Sequence, residues 1–258
     1  MSTLPLWTRA QNYYRRNSAR LVFKRPLLIR SSQPLISFTF DDFPRTALFN
    51  GGKILERYGI CGTYYVALGL LGKDSPSGPI CVESDLVALL EHGHELGCHT
   101  FSHCHSWNTK RDEFENSIVK NQETLQQLIP GAEFRSLSYP ISEPRPFTKR
   151  DTGKHFSCCR AGGQTLNSGV IDLNQLSAFF IEQSKGRIEP IRELIDRTRE
   201  TSGWLIFATH DVCANPSRFG CTPEFFEQVV QYALNAGASV LPVVKALETI
   251  RDSSLTRN

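Results

Sequence analysis

Four polar clusters interrupt the apolar runs of this sequence: Asp41-Asp42, His99 with His103, Tyr139, and His210-Asp211. His99 and His103 flank a turn in HTFSH, and a separation of four residues lets both imidazoles reach one metal ion. A lone histidine is ordinarily a satisfied core or surface residue. Here, however, five of the seven histidines fall between positions 92 and 105, and the pair follows a strand-like run. Two histidines and one carboxylate leave coordination positions open for water and substrate, as a catalytic metal requires. Two near misses are discarded. HELGCH (94–99) puts its second histidine one position late for a helical zinc-protease motif, and Gly97 weakens a helix. FTFDDF has Phe43 where a phosphatase-type strand end needs its second aspartate.

These clusters need elements to hold them. LISFTF (35–40) reads as a strand, followed by a helix over 47–58, a strand at 62–67, a helix at 84–92 and a strand at 95–98. A polar helix over 112–129 and a strand near 134–137 come next, then a Pro-rich loop, a short strand at 155–158 and a strand-like run at 178–182. A helix at 189–201 leads to WLIFAT (204–209), the clearest strand, with helices at 223–236 and up to 250 around a short strand at 239–241. Such alternation predicts parallel strands with helical crossovers. In a parallel α/β barrel every strand C-terminus opens on one face, so the four clusters would converge there.

The series TFDD (39–42), HTFSH (99–103), SYP (138–140) and WLIFATHD (204–211) resembles, in order and spacing, the NodB-homology polysaccharide deacetylases of carbohydrate esterase family four. The resemblance runs from about Leu35 to Leu247. It implies a distorted (β/α)7 barrel in a single domain, and a divalent metal, zinc first, with cobalt or nickel as alternatives. It also implies hydrolysis of N-acetyl, or O-acetyl, groups of a poly- or oligosaccharide. Carried over by position, Asp42, His99 and His103 would ligate the metal, Asp41 would be the general base toward its water, and His210 the acid that protonates the leaving amine. The Tyr139 backbone N–H would stabilise the oxyanion. Anchoring on Pro140 instead moves that N–H to Ile141. Arg135 or Arg160 would support the base. Asp211 would either orient His210 or cap the next turn, and Asp172 would cap a loop. His105 and Trp107 line the groove or pack at its rim. Phe43 replaces the family's glycine and would make the rim bulkier. Two other readings are a hydrolase of a cyclic amide or ureide C–N bond, which the intact Asp-His-His set argues against, and a non-catalytic carbohydrate-binding relative, which would be expected to lose Asp41 or His210.

Composition bounds the rest. With 258 residues, 40% hydrophobic and 21% charged, the chain has the apolar content of one barrel-sized domain and is not a disordered protein. The longest apolar stretch, YYVALGLL, is far short of the roughly 20 residues that span a bilayer, and the N-terminus shows no cleavable signal pattern. The net charge of +3 conceals an arm: residues 1–40 carry seven basic residues and no acid, against 22 basic and 26 acidic in the remainder. The expected division is a basic helical extension over 1–34, a barrel over 35–251 and a tail over 252–258. Residues 1–30 suit contact with an anionic membrane surface, or simply a solvated helix packed on the domain. No basic stripe or reading motif points to nucleic acid. Eight cysteines without a CxxC pair point to reduced thiols and a cytoplasmic setting, with the membrane periphery as the alternative that the basic arm suggests.

Overall fold

The computed structural model describes residues 6–255. LISFTF forms β1 (Leu35–Phe40), with all six residues buried, as expected of a strand covered on both faces. The other barrel strands are β2 (Thr63–Val66), β3 (Glu95–Cys98), β4 (Ser136–Ser138), β5 (Cys158–Arg160), β6 (Phe179–Phe180) and β7 (Trp204–Thr209). They are hydrogen-bonded in the order β6-β7-β1-β2-β3-β4-β5, every pair parallel. A further strand, β8 (Ser239–Val240), pairs with the start of β1 at Leu35 and Ile36, while β2 pairs with its end at Thr39 and Phe40. The two edges approach through a bridge between Arg160 and Leu176 and a bond from Ala161 N to Leu176 O. The architecture is the distorted (β/α)7 barrel, in a single domain.

Alternation along the strands sorts the core into two layers. Ile36, Phe38, Phe40, Leu205 and Phe207 belong to one cluster, with Leu86 and Leu89 of α3 (Glu83–Glu91), Ile118 and Leu125 of α4 (Arg111–Leu128), Ile191 and Ile195 of α6 (Glu189–Thr201), and Phe226 and Val229 of α7 (Pro223–Asn235). Leu35, Cys158, Trp204, Ile206 and Ala208 belong to the other, with Val243, Leu247 and Ile250 of α8 (Val243–Leu255). The second set faces the barrel interior. Residues 37, 39 and 41 share that inward face with Leu35, as Arg160 does with Cys158.

Elsewhere the sequence reading needs correction. The expected strand at 155–158 begins only at Cys158, because Pro146–His155 is a helix, α5. PFTKRDTGKH has no apolar stripe to announce it. The helix is held by tertiary contacts instead, with Thr148, Lys149, Asp151 and Thr152 buried. The helix expected over 47–58 opens with a π turn (Ala47–Gly52) before α2 (Lys53–Arg57), and 134–137 becomes 136–138.

The basic arm contributes α1 (Leu6–Leu21), which lies against α5. Its C-terminal carbonyls meet a buried ammonium: Lys149 Nζ donates to Ala19 O at 2.6 Å, to Val22 O at 3.0 Å and to Asp172 at 2.5 Å. After α1, Pro26–Leu28 pairs antiparallel with Val170–Asp172. No described helix is long and apolar enough to cross a membrane. All eight cysteines are unpaired.

Candidate active site

The four polar clusters converge at the C-terminal ends of β1, β3, β4 and β7. Asp41 continues the inward face of β1, its N–H donating to Thr209 O of β7 at 2.9 Å. Arg160, inward on β5, is fully buried and donates to Asp41 Oδ1 and, at 2.5 Å, to Ser138 Oγ. The guanidinium also lies over the rings of Tyr65 and Phe180, 5.1 and 5.5 Å from their centroids. Burial alone would raise the Asp41 pKa, but the charge of Arg160, then those of His99 and His210, outweigh it and bring it down to about 2.

Asp42 turns the other way. It and Phe43 adopt left-handed backbone, φ +61 and +54. Asp42 Oδ1 is buried without a hydrogen-bond partner, 3.2 Å from His103 Nε2 and 3.5 Å from His99 Nε2. Asp42 Oδ2 is 3.9 Å from His210 Nε2. Among the described residues these three side chains are the group whose ligand atoms could hold a metal ion, all within 4.8 Å of one another. The donor chemistry fits a divalent cation. His99 Nδ1 is 2.7 Å from Ser138 O; a proton on Nδ1 satisfies that carbonyl and leaves the Nε2 lone pair facing Asp42. Burial, ahead of every other influence, lowers the His99 pKa to about 4, keeping the imidazole neutral as a ligand must be. Gly97, two residues before His99, makes room for the Tyr65 ring: a Cβ there would lie 2.4 Å from it. The αL residues Asp42, Phe43, Thr100, His103, Ile141 and Ser142 all sit in these strand-end loops, where backbone strain commonly serves a site.

His210 ends β7 with its ring between Phe180 and Phe219, at centroid distances of 6.4 and 5.2 Å. Asp211 does not orient it: its carboxylate accepts the Ser217 N–H and hydroxyl at 2.6 Å, capping the following loop. Tyr139 requires a correction. Its N–H donates to Arg160 O at 2.9 Å inside the β4–β5 ladder, and its side chain is buried, so that N–H is already spent on the sheet. Ile141, two residues on at this rim, is 57% exposed with φ +61. Arg135 lies at the opposite barrel end, paired with Glu248 at 2.8 Å. Asp172 binds the N–H groups of Arg25 and Asn174 together with Lys149, so it holds a loop. Phe43 does not bulk out the rim; it is fully buried, 5.0 Å from the Tyr64 ring. Trp107 packs edge-on against Tyr14 of α1 at 5.7 Å, with Arg145 on its ring. Sequence reasoning missed Ser138, whose carbonyl and hydroxyl serve His99 and Arg160. Its position before Tyr139 in SYP was the one available signal.

Comparison with known proteins bears directly on this arrangement. The sequence profile described as Polysaccharide deacetylase matches residues 29–154, which include Asp41, Asp42, His99 and His103. Over that segment, just under half of its length, the chain is similar to the polysaccharide deacetylase family. It is also 30% identical over 96 residues to the peptidoglycan-N-acetylglucosamine deacetylase of Bacillus cereus, a match covering 36% of this chain and 31% of that protein. The chain shares its fold with the Xyl-CE4 domain of a multidomain xylanase from the hindgut metagenome of Trinervitermes trinervoides. That likeness has TM-score 0.59 and 16% identity, covering 84% of this chain and 91% of that one. The family 4 acetyl xylan esterase of Clostridium thermocellum, solved with a cobalt ion, is similar at TM-score 0.57 and 21% identity, covering 82% and 89% respectively. Both likenesses concern the fold.

Proposed function

We propose that this protein is a metal-dependent hydrolase that removes acetyl groups from an N-acetylated carbohydrate. The observation carrying the reading is the orphaned Asp42 Oδ1 beside two imidazole Nε2 atoms. A buried carboxylate oxygen without a donor costs on the order of 1–3 kcal/mol or more unless something positive satisfies it. A divalent cation held by Asp42, His99 and His103 would supply Lewis acidity, polarising a carbonyl and acidifying water at neutral pH.

The chain's own residues do the rest. Asp41 accepts the proton of the attacking water. Arg160 keeps that carboxylate ionised and fixes its direction from the inside of the barrel. The Ile141 N–H donates to the developing oxyanion, and a hydrogen bond preorganised there favours the transition state over the planar acetyl group. His210 delivers a proton to the departing amine, and the Phe180 and Phe219 rings hold its orientation.

The test joins metal content to acetate release. Protein purified without added metal should carry about one equivalent of divalent cation and release acetate from an N-acetylated chitooligosaccharide, whereas His99→Ala should lose most of both. Equal metal content in the two proteins, or no acetate from the metal-loaded protein, rejects the reading.

A further inference from the structure

A hollow at this barrel face lies beside the proposed catalytic residues. It measures about 560 Å³ and is lined by Phe180 and Ile141 from the site's rim and by Asn17 and Arg20 from α1. Phe180 is the ring that stacks on His210, so the hollow begins where the proposed acid ends. A second hollow of about 380 Å³ adjoins it, sharing Arg20 and Gln175 and adding Lys24. Arg20 reaches this position over a glycine: its Nη2 would stand 3.1 Å from a Cβ on Gly163. The buried ammonium of Lys149, bonded to Ala19 O and Val22 O, fixes the end of α1 that carries Arg20.

Two properties define what these hollows would take. Gln175 lines both, and its Oε1, buried in this conformation, has no donor among the described residues, so a turn of the amide toward the hollow would let a ligand hydroxyl satisfy it. Among the described residues the charge balance is positive. Asp172 is spent on Lys149, Arg25 N–H and Asn174 N–H, and Glu143 has a partner of its own. Arg20 and Lys24 form no ion pair among the described residues. A hydroxyl acceptor next to a planar guanidinium fork matches a sugar ring bearing a carboxylate.

We propose that α1 forms one wall of a substrate subsite that binds an acidic sugar residue neighbouring the acetylated one, with Arg20 as its carboxylate anchor. The proposal rests on the deacetylase reading for the word substrate, and its test is a binding measurement independent of turnover. The probes are two tetrasaccharides titrated calorimetrically into the full chain: one alternating N-acetylglucosamine with glucuronate, the other the neutral tetramer of N-acetylglucosamine. The wild type should bind the glucuronate-bearing probe about tenfold more tightly, with the preference shrinking as salt is raised. Arg20→Gln should erase the preference and Arg20→Lys should keep part of it, with neither change altering affinity for the neutral tetramer. Equal affinity for both probes, no binding of either, or a preference that survives Arg20→Gln overturns the subsite. An Arg20-dependent preference in a metal-loaded protein that releases no acetate from either probe upholds the subsite and rejects the deacetylase reading instead.

Discussion

Asp41 and Asp42 are neighbours in sequence with opposed electrostatic tasks. Asp41 meets Arg160 in the barrel interior and is held ionised down to about pH 2, so its titration does not set the acidic limb of activity. The same arrangement lowers its basicity, and its contribution then depends on position and charge. Asp41→Asn should retain the metal and slow acetate release by about 10² to 10⁴. Loss of metal from that variant would show that the two aspartates have exchanged roles. His210 is tested by the bond being broken. An amine leaves only when protonated, whereas an aryl ester expels a stabilised phenoxide. His210→Ala should therefore depress N-deacetylation at least tenfold more than hydrolysis of an aryl acetate, with metal content unchanged. Equal losses on both substrates would assign His210 to holding the site together.

At the scale of elements, strand register decides which side chains meet. Glu95, at the start of β3, accepts from Ser136 Oγ on β4 and from the Val244 N–H at the start of α8, each at 2.8 Å. Burial, ahead of those hydrogen bonds, pushes its pKa up to about 7. A carboxyl whose pKa is higher in the folded state binds protons more readily there, so stability declines as pH rises from about 4.5 to about 7 and then levels off. Glu95→Gln keeps the acceptor for Val244 and removes the charge. Relative to wild type the variant should gain about 2 kcal/mol between pH 5 and pH 8. Denaturation midpoints measured at both pH values check this, and parallel shifts in the two proteins would contradict it. Legibility at this scale followed periodicity: β1, β7 and α6 were readable because apolar residues recur at strand or helix spacing, whereas α5 was not, because its buried residues are Thr148, Lys149, Asp151 and Thr152.

For the molecule as a whole, the basic arm is joined to the barrel through Lys149. Burial holds that ammonium below the ordinary lysine pKa despite Asp172 beside it. Lys149→Met leaves the α1 carbonyls and Asp172 without their donor, which should cost about 3 kcal/mol. Amide exchange in residues 13–22 should rise far more than exchange in β1; protection of α1 equal to wild type would mean that other contacts hold the arm. The sequence by itself determined the alternating α/β order, the single barrel, and the cluster of Asp42, His99 and His103, since each is written in local spacing and in motifs that end apolar runs. It also supplied Asp41 and His210 as candidates for the flanking base and acid, respectively. Tertiary structure alone decided which arginine meets Asp41, because Arg135 and Arg160 differ in the end of the barrel they reach. It decided that the Tyr139 N–H is consumed by the sheet ladder while Ile141 is exposed, and that Trp107 lies against α1. These last relations join residues from 21 to 119 positions apart, brought face to face by barrel closure, a geometry that no local pattern encodes.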